Sequence, residues 1–411
     1  MTLKIIHTSD WHLGKKLHKR SRLEEQESFL NWLIGIINTK TIDALLISGD
    51  IFDTPSPPTS ALKLYFNFLN QVSSETRCNV YILSGNHDSG RFLEAPSVFL
   101  KKNQITIVGN INKDISKNFF KIRNSDKTIS VSLLMLPFFR SHNLWNISDN
   151  KDLNNSRETM FLNTIENIVN SFNKYSMNNS SDKSIMMAHH LFGHFSCSGS
   201  EQGLSLSGLE SIPLDIFNSI DYLALGHIHK YQELRKNQPK AVYSGAPIPF
   251  RFNESDKKYI MQLDIEPKND IKYHKIEVPN FRKLFSIELS PANLQEDILK
   301  IKELASEYGS TSFFEIKVNL TKAESITIDE IKSQLGNSEI NIISVKFIRS
   351  SYYQEQNVPI LDNYSDLTTL ELFKKFYQIK FPKLTDIPLE VLNDFNGILD
   401  NIANSSNNED Q

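Results

Sequence analysis

Cysteine is nearly absent: Cys78 and Cys197 are the only two among 411 residues, and no Cys-x-x-Cys pair occurs. That excludes a disulfide framework and a zinc ribbon, and makes a reducing cytoplasm the expected compartment, with nucleoid association if the partner is DNA. No apolar run approaches the length that spans a bilayer, so no membrane partner is expected. The amino-terminal stretch Met1-Thr-Leu-Lys-Ile-Ile6 enters a strand at once, without the basic segment, apolar core and cleavage site of an export signal. A Gly-x-x-x-x-Gly-Lys-Ser/Thr loop is missing too, so no nucleotide-phosphate cradle of that kind is expected in this chain. Net charge is only -3, which confines any phosphate-binding surface to a local patch.

What is present reads as a globular chain, 39% hydrophobic and longer than one core usually organises. Over the first 230 or so residues, short apolar runs alternate with helical patterns, the signature of an α/β sheet. Leu3 to Thr8 is a strand ending at Asp10-Trp-His12. Ser21 and Glu24 have capping-box spacing ahead of a helix carrying Phe29, Leu30, Leu33, Ile34 and Ile37. A second strand, Ile42 to Ser48, closes on Gly49-Asp-Ile-Phe-Asp53. Thr59 follows two prolines as an expected N-cap, and Leu62, Phe66, Leu69 and Val72 form the expected buried stripe of the next helix. The third strand, Asn79 to Leu83, ends at Asn86-His87-Asp88.

Further along, residues 146–158 read as a loop, and Phe161, Ile165, Ile168 and Phe172 share a helix face. The strand Ser184 to Ala188 stops at His189-His190, and Ile220 to Leu225 stops at Gly226-His-Ile-His229. Paired strands follow, and we expect domains at 1–280, 281–350 and 351–411. The last comprises a linker over 351–364 and two short helices bearing Leu370, Phe373, Phe376 and Tyr377, then Leu389, Leu392, Phe395 and Leu399. Large apolar residues with little to pack on suggest docking onto another protein.

Five strand ends thus carry Asp10 and His12, Asp50, Asn86 to Asp88, His189, and His227 with His229. In open α/β sheets ligands collect beyond the carboxyl ends of strands, so these termini can converge on one site. With His87 reserved for another role, two carboxylates, one amide and four imidazoles are too many donors for one ion and suit two. Oxygen and imidazole donors without thiolate favour manganese, iron or zinc over calcium. Two cations about 3.5–4 Å apart would bind a phosphate and acidify a water, which implies phosphoester hydrolysis. Asp88 is suited to hold the His87 imidazole in one tautomer. The basic run Lys15, Lys16, His18, Lys19, Arg20 and Arg22 is the candidate phosphate-facing surface.

Asp10-Trp-His12, Gly49-Asp50, Gly85-Asn-His-Asp88 and Gly226-His-Ile-His229 resemble the signature of the calcineurin-like metallophosphoesterases. His12-Leu-Gly14, Gly49 to Asp53, Gly85 to Ser89 with Arg91, and Gly245-Ala-Pro-Ile-Pro249 are similar, more narrowly, to the nuclease subunits of bacterial double-strand-break repair complexes. The resemblance implies a β-sandwich with flanking helices, a small α/β capping domain and a helical tail. It implies one ion on Asp10, His12, Asp50 and His229 and another on Asp50, Asn86, His189 and His227, most often Mn2+, with Mg2+, Fe2+ or Zn2+ as alternatives. His87 would face the scissile phosphate, with Asp88 orienting it. Between His189 and His190 the resemblance favours His189, by its spacing to residues 204–208. Where Asp53 stands, archaeal relatives carry a histidine and bacterial relatives an aspartate, so a second acid or base role there has no support.

The same resemblance implies a homodimer within a heterotetramer and a partner ATPase of the SbcC type. Its substrates would be DNA duplex ends, hairpins and single strands, with Lys15, Lys16, Lys19, Arg20, Arg22 and Arg91 as DNA contacts. The expected activity is ATP-dependent 3′ to 5′ exonuclease and single-strand endonuclease action. Two other readings use the same residues: a small-molecule phosphoesterase, against which the tail and second domain argue, and a non-catalytic repair scaffold, against which the intact ligand set argues.

Overall fold

The structure is a computed structural model that describes residues 2–140, 157–196, 211–254, 256–267, 270–309, 311–320, 325–336, 340–349, 369–381, 387–389, 391–392 and 395. Cys197, residues 204–208, the 351–364 linker, Leu399 and most of the expected 146–158 loop lie outside these residues. Residues 157 and 158, placed in that loop by the sequence, instead open a helix. The chain divides into two units, Met1–Ile348 and Arg349–Gln411.

The first unit begins with β1 (Leu3–Thr8), a short hairpin of β2 (Lys16–Leu17) and β3 (Arg20–Ser21), α1 (Leu23–Lys40), β4 (Ala44–Ser48), α2 (Thr59–Glu75) and β5 (Asn79–Leu83). Two short helices, α3 (Gly90–Glu94) and α4 (Ser97–Leu100), lead to β6 (Ile105–Val108). Then come β7 (Phe119–Arg123), β8 (Ser130–Leu136), α5 (Arg157–Asn178), β9 (Lys183–His189), β10 (Tyr222–Gly226), β11 (Gln232–Arg235), β12 (Lys240–Tyr243), β13 (Tyr259–Ile265) and β14 (Lys272–Glu277). These make two six-stranded sheets, ordered β14-β13-β1-β4-β5-β6 and β11-β12-β10-β9-β8-β7.

The period of two in each strand builds three layers of core. Ile5, Leu46, Leu83, Leu133, Met187 and Ala224 point between the sheets. Their neighbours Ile6, Leu45, Ile47 and Ile82 point outward beneath α1 and α2, while Leu134, Met186 and Leu223 point outward beneath α5. The result is the expected sandwich with flanking helices. Because β1, β4 and β5 are mutually parallel, as are β9 and β10, their carboxyl ends lie together at one rim of each sheet.

A third sheet, β15 (Leu284–Leu289), β16 (Phe313–Leu320) and β17 (Asn341–Arg349), carries α6 (Leu294–Tyr308) and α7 (Ile328–Leu335) over a separate apolar core. Helix α7 opens on a formed capping box, Thr327 with Glu330. In the second unit, α8 (Thr369–Lys380) carries Phe373, which stacks on Phe395 with ring centroids 3.9 Å apart.

Two local expectations differ. The capping box of Ser21 and Glu24 does not form: Arg22 occupies the N-cap, where a guanidinium offers no acceptor, and it donates inward to Glu25 instead. On α2 the buried stripe is Ala61, Tyr65, Phe68, Leu69 and Val72, leaving Phe66 40% exposed. Edge-to-face packing of Trp11 on Phe68 and of Phe52 on Tyr65 sets that rotation, a tertiary preference that helical periodicity does not carry.

Candidate metal centre

The two rims meet through short polar links. Ser9 Oγ and Ser244 Oγ are 2.8 Å apart, and Ser48 Oγ donates to Ala224 O at 2.9 Å across the sheets. Turns leaving β1 and β4 are zipped together, with His12 N donating to Asp50 O (3.0 Å) and Leu13 N to Ile51 O (2.9 Å). Asp10, His12, Asp50 and His227 all hold positive φ, at 54°, 45°, 51° and 100°. Side chains rarely adopt that region, and such residues cluster where the surrounding fold imposes a functional geometry. Close approach demands glycine twice: a Cβ on Gly49, whose φ is +89°, would lie 2.2 Å from the His189 ring, and one on Gly85 would lie 2.0 Å from an Asp50 oxygen.

Asp10, His12, Asp50 and His229 converge, with one ligand atom from each lying within 4.8 Å of the others, all buried. His12 Nε2 is 3.1 Å from His229 Nε2 and 3.4 Å from Asp50 Oδ2. On the far side of the same carboxylate, His189 Nε2 lies 3.4 Å from Asp50 Oδ1 and 3.1 Å from Asn86 Oδ1, which also takes His227 Nδ1 at 2.8 Å. Asp50 therefore turns one oxygen to each group. His189 Nδ1 donates to Ser48 O at 2.8 Å, which leaves Nε2 for the centre.

Electrostatics fit cations. Burial lifts Asp10 to about 8, His189 pulling it down and Asp50 pushing it up. Burial also works on Asp50, but the charge and hydrogen bond of His189, then His12, hold it well below the usual carboxylate range. Burial would lower His189, yet Asp50 and then Asp10 raise it to about 9. Carboxylates buried this close together require positive charge beside them, which divalent cations supply. Burial first and neighbouring imidazoles second push His227 and His229 well below their ordinary value, toward the neutral form that binds metal. His227 Nε2 is buried without a hydrogen-bond partner. The donor set accordingly fits metal ions.

His190 sits apart. Its ring stacks on Phe138 (5.8 Å, 21°) and packs against Phe139 at 4.9 Å, and burial lowers it to about 4. It lines the wall, while His189 faces Asp50. His87 is half-buried beside His12, ring centroids 4.7 Å apart. Its Nδ1 donates to the backbone oxygen of Asp53 at 2.9 Å, which frees Nε2.

The expectation that Asp88 orients His87 is corrected here. Asp88 accepts backbone N–H groups of Ile51 (3.0 Å), Phe52 (2.9 Å) and Gly85 (2.8 Å), clipping the two loops together. Burial and then the Asp50 charge raise it to about 6 despite those bonds. The basic run is corrected at one position. Arg22 is 1% exposed and bound to Glu25 and to Pro249 O, so it faces no substrate. Lys15 is half-buried and paired with Asp53 at 2.6 Å. Lys16, Lys19 and Arg20 are exposed on the β2–β3 hairpin, as is Arg91 on α3.

Asp53, which the sequence reading left without a role, and Phe250, which it missed, both pack against His12. Asp53 meets His12 Nδ1 at 3.4 Å as well as Lys15, and these partners overcome burial to hold it at about 2. Phe250 packs edge-on to both His12 (5.0 Å) and His229 (5.2 Å). Its signal was its place directly after the proline-bracketed turn at Pro247 to Pro249.

One carboxylate shared by two sets of imidazole and oxygen donors is the centre of a metal-dependent phosphodiester hydrolase. The chain belongs to the calcineurin-like phosphoesterase family, whose model matches residues 3–231. It is similar to several bacterial proteins that carry the name SbcD, the D component of the nuclease SbcCD. It is 26% identical to that of Bacillus subtilis over 92% of this chain and 93% of the relative. Identity to the Staphylococcus epidermidis protein of that name is 25% over 91% and 93% of the two chains. For the Escherichia coli K12 protein it is 29% over 63% of this chain and 64% of the relative.

Proposed function

We propose that the chain is the nuclease subunit of an SbcC–SbcD type complex, hydrolysing DNA phosphodiester bonds. The observation that carries the chemistry is Asp50, whose two oxygens face His12 and His189 separately at 3.4 Å each. One divalent ion would rest on Asp10, His12, Asp50 and His229, the other on Asp50, Asn86, His189 and His227, with Mn2+ the expected metal. Such ions neutralise phosphate charge and bring the pKa of a water toward neutrality.

The residues of the chain do the remaining work. His87, tethered through Nδ1, turns Nε2 to the phosphate and protonates the leaving oxygen or stabilises its charge. Asp88 keeps the two loops in register. Lys16, Lys19, Arg20 and Arg91 meet DNA phosphates, and residues 281–350 form the capping domain that helps shape DNA.

Similarity over nearly the whole length to the SbcD proteins of Bacillus subtilis and Staphylococcus epidermidis favours DNA over a small phosphoester as substrate. The partner would be an SbcC-type ATPase, gripped by the tail, where Phe376 is 53% and Leu389 77% exposed. Homodimer formation is supported by Phe66, Phe92, Val98 and Phe99, large apolar residues exposed on α2, α3 and α4. In the assembly, ATP-dependent 3′ to 5′ exonuclease and single-strand or hairpin endonuclease action would serve DNA repair, recombination and replication. No described helix is long and apolar enough to cross a membrane.

The test is Mn2+-dependent cleavage of linear duplex and hairpin DNA against a chromogenic phosphodiester, with and without an SbcC-type ATPase and ATP. Activity confined to the small ester overturns the nuclease reading. Deletion of residues 352–411 should end co-purification with the ATPase and leave intrinsic nuclease activity.

A further inference from the structure

We propose that the turn after β12, residues 244–250, is the positioning element of the first ion site, on Asp10, His12, Asp50 and His229, although it supplies no ligand; the inference deepens the two-metal reading and rests on it. The segment leaves the second sheet and carries the Gly245-Ala-Pro-Ile-Pro249 motif. It supports three of the four residues of that site.

Asp10 is reached through a relay of hydroxyls. Ser244 Oγ lies 2.8 Å from Ser9 Oγ, and Ser9 Oγ donates to Asp10 Oδ2; all three residues are fully buried. An ionised carboxylate only accepts, so the single Ser9 hydroxyl proton goes to Asp10, and Ser9 takes its own bond from Ser244. The other acceptor near Ser244 Oγ, the Gly245 backbone oxygen, is more distant at 3.5 Å. Asp10 Oδ2 also takes His227 N at 3.2 Å, whereas the described partner of Oδ1 is that same N–H, at 3.0 Å. The relay therefore occupies Oδ2 and leaves Oδ1 the freer oxygen for the ion.

The backbone oxygen of His229 accepts Ala246 N at 3.0 Å, which pins the loop that carries its ring. Phe250, 4% exposed, meets the His12 and His229 rings edge-on at 5.0 and 5.2 Å. An apolar wall behind two imidazoles holds their orientation and limits water at their back. The second site is supported elsewhere: Asn86 Oδ1 takes both His189 and His227, and those two rings lie beside Phe138. Damage to the turn should thus be felt by one ion and not by the other.

The experiment uses the full chain with Ser244→Ala, Ser9→Ala, the two combined, and Phe250→Leu, each checked for folding by urea denaturation. Mn2+ titration calorimetry reads the two sites, and EPR reads whether bound Mn2+ forms an exchange-coupled pair. Ser244→Ala and Ser9→Ala should each weaken one Mn2+ site by about 10- to 100-fold and leave the other unaltered, and Phe250→Leu should weaken the same site by about 10-fold. At two equivalents of Mn2+ these variants should show a single bound ion where the unaltered chain shows the coupled pair. Because loss of either serine breaks the relay, the combined variant should lose no more than Ser9→Ala alone. Two unaltered sites in Ser244→Ala, equal weakening of both sites, or losses that add in the combined variant would overturn the proposal. Phe250→Leu carries the test by the same one-site criterion should Ser244→Ala fail to fold. If the unaltered chain binds one Mn2+ alone, the two-metal reading fails, whereas the effect of Ser244→Ala on that ion still decides the role of the turn.

Discussion

Arg282 Nε lies 2.6 Å from Glu25 Oε1, and the other oxygen of the same buried carboxylate holds Arg22. Arg22 continues to Pro249 O at 2.6 Å, and Arg282 lies 4.3 Å over the Phe313 ring. One glutamate at the start of α1 therefore joins the turn beside the metal wall to the third sheet. Glu25→Ala would leave the buried Arg22 guanidinium without its anion, while Arg282 keeps Glu24 at 2.9 Å. Uncompensated buried charge costs about 3–5 kcal/mol, so urea denaturation should record a loss of that order. A loss under about 1 kcal/mol would mean that the pair is solvated like an ordinary surface bridge.

Asp50 should behave as the common ligand. Asp50→Ala is expected to bind neither Mn2+ ion tightly and to lose hydrolysis altogether, read by calorimetry and DNA cleavage in parallel. His189→Ala should weaken one site alone, and His190→Ala should leave two. Normal cleavage by Asp50→Ala would rule out the two-metal mechanism.

His87 has a different expected signature. With Nδ1 held by the Asp53 backbone and Nε2 free, His87→Gln should keep both Mn2+ ions and lose about 10²- to 10⁴-fold in kcat, the usual contribution of a general acid. Loss of an ion from that variant would instead make His87 a ligand.

His7 supplies a pH dependence remote from the metal ligands. It is wholly buried in β1, Nδ1 3.2 Å from Tyr222 Oη, and burial lowers it to about 3 against the opposing hydrogen bond to Leu225. Unfolded, the ring titrates near 6.5, so the unfolded chain binds the extra proton in the interval between. The stability from His7 is fully present above about pH 6.5 and is lost as pH falls toward 3, by up to about 1.4 kcal/mol per pH unit. His7→Asn should flatten the fall in unfolding free energy between pH 6.5 and 4.5. Equal slopes in the two proteins would contradict a buried neutral His7.

Strand and helix order, and the grouping of Asp10, His12, Asp50, Asn86, His189, His227 and His229 at strand ends, were legible in the order of residues. Alternation of two and periodicity of 3.6 are local properties, and a polar cluster after an apolar run marks a rim wherever the sheet lies. The choice between His189 and His190 was not local. Both follow β9, and only the opposite sheet decides which meets Asp50 and which lies among Phe138 and Phe139. Arg22 likewise read as a member of a basic run because charge is visible in sequence while its buried partner Glu25 and Pro249 O are not. The motif around His87 divides for the same reason: adjacency suggested that Asp88 orients the ring, but Asp88 holds backbone amides and the Asp53 carbonyl takes Nδ1. The sequence by itself determined which side chains arrive at the rim. Tertiary structure decided which atoms face one another there, because hydrogen-bond partners 30 to 40 residues apart, as in His87 with Asp53 and Asp88 with Ile51, are set by the register of packed strands and not by neighbours in the chain.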